Sequence, residues 1–294
     1  MGLRDWGLLG LLALLWGGSF FFVEVALGGL PPLAVVWCRV AGAAVVLLVV
    51  LHLRGVALPS GWREWRAVAV MGVLNNALPF TFFALAQGRI GGGLAAILNA
   101  MTPMLTVVAL FLLAGERAGA GRVAGVLAGF AGVAVMMGGA AEGELAAKLI
   151  CLAAAGCYAL ASVWGRRRLA GIAPMAVAFG QCASAAVVLL PVAVWLRVWE
   201  GASADAAVWG AVAGLVLLST ALAYVIFFRL FAAVGPLNVQ LVTFLIPLVA
   251  VGLGVAVLGE RLEARHLGGA ALIGLGLVAI DGRVRGLWRR VVSR

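Results

Sequence analysis

The chain has 294 residues, of which 65% are hydrophobic and 11% are charged, and its formal net charge is +10. Soluble globular proteins are about 45–50% apolar and about 25% charged, so this composition argues against a soluble enzyme, a disordered chain or a secreted disulfide scaffold. A helix that crosses the hydrocarbon core uses about 20 residues, so ten such helices would use about two-thirds of the chain. The composition therefore predicts a polytopic membrane protein.

Ten apolar segments, bounded by charged residues, glycine or proline, follow one another along the chain. Their predicted limits are 7–27, 33–53, 67–86, 92–113, 122–140, 146–164, 174–196, 208–228, 236–258 and 267–281. Lipid cannot satisfy backbone N–H and C=O groups, so a span is either a helix or a strand of a closed barrel. Barrel strands alternate apolar and polar residues, whereas these runs of Leu, Val and Ala do not. We therefore predict an all-α fold of ten transmembrane helices.

Basic residues lie between these segments, with a final cluster after the last one. With the N-terminus in the cytoplasm, fifteen of them fall on the cytoplasmic side and five outside, while Arg39 lies within the second span. Lys and Arg favour the cytoplasmic side of a membrane, so we predict that both termini are cytoplasmic. The scattered distribution does not form the continuous basic surface that a nucleic acid requires, so the expected partner is the lipid bilayer.

The sequence matches itself at an offset of 144 residues. Pro103 aligns with Pro247, and the Gly-Glu-Arg motif at 115–117 aligns with the one at 259–261. Each copy contains five spans. Because five is odd, the second copy must enter the membrane in the opposite orientation to the first.

We therefore predict a five-helix repeat at 1–140, a second repeat of opposite topology at 146–282, and a basic cytoplasmic tail at 283–294. Inverted repeats are typical of transporters that work by alternating access, with the substrate bound near the membrane midplane between the halves. Duplication for stability alone is the alternative explanation.

Apart from those at the ends of their segments, such as Lys148 and Asp281, two charged residues lie within the predicted spans, where a charge is costly. Glu24 lies near the outer end of the first span, and Arg39 lies in the outer half of the second. One interpretation is an ion pair between them. In the other, Glu24 faces a cavity and binds a substrate ammonium group or relays a proton. Trp16, Phe20 and Glu24 recur every four residues and share one helix face, which favours a lined path.

Amides and hydroxyls occur at matching places in the two halves, near prolines. Each needs a partner, so it faces either another helix or a water-filled cavity. Proline frees a backbone carbonyl and bends the helix, and interrupted polar helices point to binding sites in transporters. The candidate cavity residues of this kind are Ser19, Asn75, Asn76, Asn99, Ser219, Thr220, Gln240 and Thr243, and the candidate kinks are Pro79, Pro103 and Pro247.

Aromatic side chains within the same spans complete the candidate site. Packing alone is one explanation of such a stripe. Amides, hydroxyls and aromatics with little net charge also suit a zwitterionic or uncharged amphiphilic solute. The candidate cavity aromatics are Trp16, Phe20, Phe80, Phe83, Tyr158, Trp164 and Tyr224. The cysteines and histidines do not cluster at metal-ligand spacing, so we predict neither a metal nor a cofactor.

Glycines predict close helix contacts and turns rather than a transport path. At each Gly-Glu-Arg motif we expect the glycine to end one helix and the glutamate to lie near the positive start of the next. The glycine-rich segment at 88–93 lacks the strand and lysine of a phosphate loop. Small-residue faces for close packing of the fifth and tenth spans are formed by Gly125, Gly129, Gly132, Gly269 and Gly276.

These features resemble the drug/metabolite transporter (DMT) superfamily, in particular its EamA family of paired five-helix repeats. The resemblance covers nearly the whole chain. It rests on Leu-Trp-Gly-Gly-Ser-Phe at 15–20, Trp-Cys-Arg at 37–39 and both Gly-Glu-Arg motifs with their following glycines. Within the family the chain looks most like the YddG-type aromatic amino-acid exporters. The resemblance implies ten helices, cytoplasmic termini, a bacterial inner membrane and metabolite export, with Arg39 as a structural residue.

The function that we predict is secondary export of small metabolites, chiefly neutral or aromatic amino acids, by alternating access through a central cavity. A multidrug or cationic-compound exporter of the same fold is the alternative, and a channel is a third possibility. An integral-membrane lipid enzyme is disfavoured because the two histidines lie in different halves and no carboxylate pair is evident. Coupling to protons through Glu24 and facilitated diffusion both stay open. A monomer could be complete, because one chain holds both halves.

Overall fold

The computed structural model describes residues 2–138, 142–200 and 202–281, and the regular secondary structure within these ranges is helical. The helices are α1 (Leu3–Leu27), α2 (Pro32–Leu53), α3 (Gly61–Gly72), α4 (Leu78–Asn99), α5 (Thr102–Ala114), α6 (Ala120–Met137), α7 (Glu142–Arg168), α8 (Pro174–Trp195), α9 (Ala206–Val216), α10 (Ala223–Val234), α11 (Pro236–Val239), α12 (Val242–Leu258) and α13 (Ala264–Asp281). The predicted all-α class is confirmed. The predicted tail at 283–294 lies outside the described residues.

Seven helical stretches in the described ranges are long and apolar enough to cross a bilayer, and three shorter apolar helices accompany them. The longest stretch, 61–99, is divided at Gly91, whose φ of 70° and ψ of 161° are not helical. Gly235, 144 residues later, interrupts the chain in the same way, with φ 78° and ψ 166°. Glycine adopts such angles without steric cost. Division at these two glycines gives ten spans in the predicted order.

Two π-helical segments, Val73–Ala77 and Leu217–Leu222, lie within the third and eighth spans and begin 144 residues apart. Pro79 follows the first segment closely and lacks the N–H that a regular helix would donate. In the second segment the Thr220 hydroxyl donates to the carbonyl of Leu215, five residues earlier, at 2.8 Å. Such widened turns are frequent at functional sites.

The predicted interruptions at Pro103 and Pro247 come earlier in the chain, by two to three residues for Pro103 and by six to seven residues for Pro247. The fourth span turns at 100–101, and Pro103 lies in the first turn of α5, where a missing N–H costs nothing. The ninth span turns at 240–241, and Pro247 lies within α12.

Helices from the two halves pack against one another at the centre of the bundle. α1 packs against α4, α9 and α12, while α7 packs against α4 and α5. Outside this group, α2 packs on α8, and α6 packs on α13. Large apolar side chains such as Leu112, Val187 and Leu248 are exposed on the outside, which suits contact with lipid. The spans that carry most of the candidate residues are therefore neighbours.

Glycines bring α6 and α13 into backbone contact. A Cβ at Gly132 would lie 2.6 Å from the carbonyl oxygen of Gly269, and a Cβ at Gly269 would lie 2.6 Å from that of Gly132. Gly125 and Gly276 face each other in the same way. The predicted small-residue contact between the fifth and tenth spans is confirmed.

We expect Gly269→Ala to lower the free energy of unfolding by about 1–3 kcal/mol, because the added methyl overlaps the facing backbone. Gly274→Ala is the matched control in α13, since a Cβ there meets nothing within 4 Å. Alanine favours a helix over glycine by about 1 kcal/mol, so the control should be neutral or stabilising. Thermal unfolding in detergent measures both variants, and equal midpoints would contradict the close contact.

Candidate functional site

A hydrogen-bonded cluster of amides lies where the first π-helical segment meets α8 and α10. Asn75 Nδ2 donates to Gln181 Oε1 at 3.2 Å and to Asn76 Oδ1 at 3.3 Å. The Tyr224 hydroxyl donates to Asn76 Oδ1 at 3.2 Å, and Asn76 Nδ2 donates to the Cys182 sulfur at 3.3 Å. Asn76, Gln181 and Tyr224 are all buried. The widened turn thus places two consecutive amides among partners from the other half of the chain.

The second π-helical segment makes a related contact with the guanidinium of Arg39. Arg39 Nε donates to Thr220 Oγ1 at 2.9 Å, and the guanidinium carbon lies 3.8 Å from the centroid of the Phe80 ring. Stacking on an aromatic face is favourable for arginine. In the repeat, Arg39 aligns with Gln181, and Thr220 aligns with Asn76. Each π-helical segment therefore binds a polar side chain from the second or seventh span.

The ion pair between Glu24 and Arg39, one of the two interpretations of the sequence, is wrong. Among the described residues, no carboxylate oxygen lies within 4.0 Å of an Arg39 nitrogen. Gln87 Nε2 instead donates to Glu24 Oε2 at 3.3 Å and to the Phe20 carbonyl at 2.8 Å. Similar depth in two spans does not make two side chains face each other. Arg39 points to the eighth span, whereas Glu24 points to the third.

Aromatic rings connect the spans beside this polar cluster. Phe83 lies between Phe20 and Tyr158, with centroid distances of 5.6 Å and 6.2 Å, and so joins the first, third and sixth spans. A second run leads from Trp16 to Tyr224. In it Phe227 lies 5.4 Å from Trp16 and 5.1 Å from Phe228, and Phe228 lies 6.3 Å from Tyr224.

The start of the fourth span forms a backbone cradle for the carboxylate of Glu260. The Gly92 N–H donates to Glu260 Oε1 at 2.8 Å, and the Gly93 N–H donates to Oε2 at 3.0 Å. A Cβ at Gly93 or at Gly254 would lie 2.6 Å from Oε2, so both positions need glycine to admit the carboxylate. The N–H groups begin a helical segment just after Gly91, where the helix dipole favours an anion.

For the two Gly-Glu-Arg motifs, the expectation for the glycines is confirmed and the one for the glutamates is wrong. Gly115 and Gly259 have φ of 66° and 68° and end α5 and α12. Glu116 forms an ion pair with Arg166 at 2.9 Å, and Glu260 binds the fourth span. Each carboxylate binds a different element from the one expected: Glu116 reaches a guanidinium of α7, and Glu260 reaches backbone N–H groups at another helical start, in α4.

Trp164 lies apart from the amide cluster, near one end of the bundle. Its Nε1 donates to the carbonyl of Ala67 at 2.9 Å, and its ring is 5.8 Å from the guanidinium carbon of Arg168. It lines a cavity of about 460 Å³ with a strongly basic wall. The charged residues of that wall are Arg63, Glu64, Arg66, Arg167 and Arg168.

Three further candidates make only local hydrogen bonds. The Thr102 hydroxyl donates to the carbonyl of Asn99 at 2.8 Å and to its side-chain oxygen at 3.3 Å. The Thr243 hydroxyl donates to the carbonyl of Gln240 at 2.7 Å. The side chains of Asn99 and Thr243 thus bond within their own spans rather than to the amide cluster, and Gln240 takes part through its backbone carbonyl.

The two serine candidates differ in their hydrogen bonding. The Ser19 hydroxyl donates to the Trp16 carbonyl in its own helix at 2.6 Å. Ser219 is 1% exposed, and its hydroxyl has no hydrogen-bond partner among the described residues. Within the same ranges, no three His, Cys, Asp or Glu side chains come together in a way that could hold a metal ion.

Reasoning from the sequence missed three residues of this centre. Gln87 lies just beyond the predicted limit of the third span, so it was not counted among the amides inside spans, which need a partner. In the structure α4 continues past Gln87. Gln181, which aligns with Arg39 in the repeat, was not among the predicted cavity residues. Glu260 was interpreted as part of a turn, and the signal that could have identified its partner is the glycine-rich segment at 88–93.

Comparison with known proteins agrees with this architecture. The model of the EamA-like transporter family matches the chain twice, at residues 6–138 and 145–280. A solved structure matches with a TM-score of 0.66 over 97% of both chains, and because its sequence identity is 23%, it supports the fold alone.

Several relatives match over most of their length. Protein PecM of Dickeya dadantii is 26% identical over 90% of this chain and 88% of its own. The uncharacterized inner membrane transporter YedA of Escherichia coli is 27% identical over 87% of this chain and 84% of its own. The uncharacterized transporter YvbV of Bacillus subtilis is 26% identical over 90% and 88%. With both halves matched by the family model, this chain belongs to the EamA-like transporter family, as a multi-pass membrane transporter of the DMT type.

Proposed function

We propose that this transporter exports neutral or aromatic amino acids across a bacterial inner membrane. The observation that carries the proposal is the convergence of paired amides and aromatic rings from the first, third, sixth and eighth spans. Asn75, Asn76 and Tyr224 supply donors and acceptors, while Phe83 and Tyr158 supply apolar faces. Such a mixture matches an amphiphilic solute with a ring and polar groups.

The proposed mechanism is alternating access between two inverted repeats, at 1–140 and 146–282. The paired breaks at Gly91 and Gly235 and the paired π-helical segments support it, because interrupted helices at matching places are typical of such sites. Both termini are proposed to be cytoplasmic. In that orientation the basic cavity beside Trp164 opens toward the cytoplasm.

A second candidate function is export of cationic compounds, and it is favoured by one observation. Glu24 is a half-buried carboxylate one turn beyond Phe20 on the first span. A carboxylate beside an aromatic surface is suited to an organic cation. The same group is the proposed proton carrier if transport is coupled to a gradient.

Counterflow in proteoliposomes tests the proposal, and it needs no imposed gradient. Vesicles loaded with unlabelled phenylalanine receive labelled phenylalanine outside. We expect the label to accumulate transiently, and we expect tryptophan and methionine to abolish the accumulation. Protein-free vesicles and competition by a charged amino acid are the controls. A flat phenylalanine trace together with accumulation of a cationic dye would contradict the amino-acid proposal and favour the second candidate.

A further inference from the structure

Arg39 is a buried cation for which the described residues provide no carboxylate. It is 7% exposed, and no Asp or Glu oxygen there lies within 4.0 Å of its nitrogens. A guanidinium stays charged in proteins, and an unpaired charge inside a membrane is costly. Its observed partners offset part of that cost. Phe80 covers one face of the group, and Thr220 accepts from Nε.

The outer edge of the guanidinium has no hydrogen-bond partner among the described residues. Nη1 and Nη2 make no hydrogen bond to a described residue, whereas arginine presents its N–H groups as a fork that fits a carboxylate. The ionisable groups close enough to act on the charge include the phenols of Tyr158 and Tyr224. Its direct contacts are Phe80 and Thr220, and the two phenols belong to the aromatic runs described above.

A second polar group near this point also lacks a partner. Ser219 precedes Thr220 in the same π-helical segment, is 1% exposed and has an unbonded hydroxyl. Its counterpart in the first half, Asn75, has its amide bonded to Gln181. An unsatisfied hydroxyl and an unsatisfied fork on adjacent elements are the donors that an incoming anionic group would use.

We propose that Arg39 binds the carboxylate of the transported solute, so that the transporter selects solutes with a carboxylate over the corresponding amines. This inference rests on the proposed function, because it takes the amide cluster and the aromatic rings beside it as the solute site. It also separates the two candidate functions. A cation at the centre of the site repels a cationic compound.

Ligand-induced changes in the thermal unfolding midpoint of the purified protein provide the first measurement, since a ligand that binds the folded state raises it. The probes share a phenyl ring: phenylalanine, phenylacetate, phenylalaninamide and phenethylamine. We expect phenylalanine and phenylacetate to stabilise the wild type and the two probes without a carboxylate to have little effect. Equal stabilisation by phenylacetate and phenethylamine would overturn the proposal.

Arg39→Gln is the direct variant, because Gln is the residue at the aligned position in the second half. We expect about 10- to 100-fold weaker binding of phenylacetate, as for loss of a charged hydrogen bond. Arg229→Gln, at an exposed position of α10, is the matched control. If Arg39→Gln does not fold, two further variants test the proposal. Arg39→Lys keeps the charge but lacks the guanidinium, and Phe80→Leu removes the ring on which the guanidinium lies, so that the charge is displaced. Each should weaken phenylacetate binding selectively. Unchanged affinity in folded variants would overturn the proposal.

The outcomes also separate this inference from the proposed function. Phenylalanine counterflow that persists without a carboxylate preference would leave amino-acid export standing and refute the role of Arg39. Arg39-dependent binding of phenylacetate with no phenylalanine counterflow would do the reverse, and would point to carboxylates other than amino acids.

Discussion

Glu260→Gln is expected to release the fourth span from the ninth and to destabilise the protein by about 2–3 kcal/mol. The carboxylate accepts from the N–H groups of Gly92 and Gly93 at 2.8–3.3 Å. An amide of the same size keeps one acceptor, but its NH₂ group opposes an N–H donor. The loss includes charge-assisted hydrogen bonds and a favourable charge at a helix start. A loss of about 2 kcal/mol would make local opening about 30-fold more frequent.

Two measurements check this expectation. Hydrogen exchange at the amides of Gly92 and Gly93 should accelerate, and the thermal unfolding midpoint should fall. Glu116→Gln is the matched control, because Glu116 occupies the same place in the first repeat but pairs with Arg166 at the surface, where a salt bridge contributes about 0–1 kcal/mol. Equal effects of the two substitutions would show that the cradle adds nothing to an ordinary ion pair.

Gly93→Ala probes the same contact from the other side. The added Cβ would lie 2.6 Å from Glu260 Oε2, so the carboxylate has to move away. Its effect should resemble that of Glu260→Gln, and the double variant should be less destabilised than the sum of the singles, since both remove one interaction. Additive losses would contradict a shared cause.

Asn76→Leu is the second large effect that we expect, with about 1–3 kcal/mol of lost stability and loss of transport. Leucine has a similar volume but no polar atoms. The Tyr224 hydroxyl and the Asn75 amide would then lose acceptors in a buried place, and an unsatisfied donor there costs about 1–3 kcal/mol. Thermal unfolding and phenylalanine counterflow measure the two consequences separately.

Asn99→Leu provides the comparison, because Asn99 is half-buried and bonds only to Thr102 in its own span. We expect it to retain transport and most of the stability. Should Asn76→Leu transport phenylalanine at the wild-type rate, the amide cluster would be a packing feature and not part of the solute site.

The architecture could be predicted because it depends on local properties of the chain. Apolar length defines the spans, and the 144-residue offset that aligns Gly115 with Gly259 also relates the two breaks and both π-helical segments. The breaks themselves follow from glycine, which alone tolerates φ near 70° with an extended ψ.

The partners of the polar side chains could not be predicted in the same way. Burial of Glu24 and Arg39 follows from their positions in spans, but their partners depend on which neighbouring helix each face meets. Glu260 illustrates the same difficulty, because its acceptor atoms reach backbone donors 167 and 168 residues away in the chain. Such contacts are set by helix rotation and packing, which a hydropathy pattern does not encode.

One difference between the repeats bears on how the transporter responds to its surroundings. Gly92 of the cradle corresponds to Pro236 in the second repeat, and a proline has no N–H to offer a carboxylate. At one end of the bundle, backbone N–H groups bind the half-buried carboxylate of Glu260. At the other end, the corresponding contact is the exposed ion pair of Glu116 and Arg166. Dissolved salt strongly screens the exposed ion pair and screens the half-buried carboxylate much less. We therefore expect rising ionic strength to weaken the contact between Glu116 and Arg166 more than the Glu260 cradle, so that two halves of similar fold respond differently to salt.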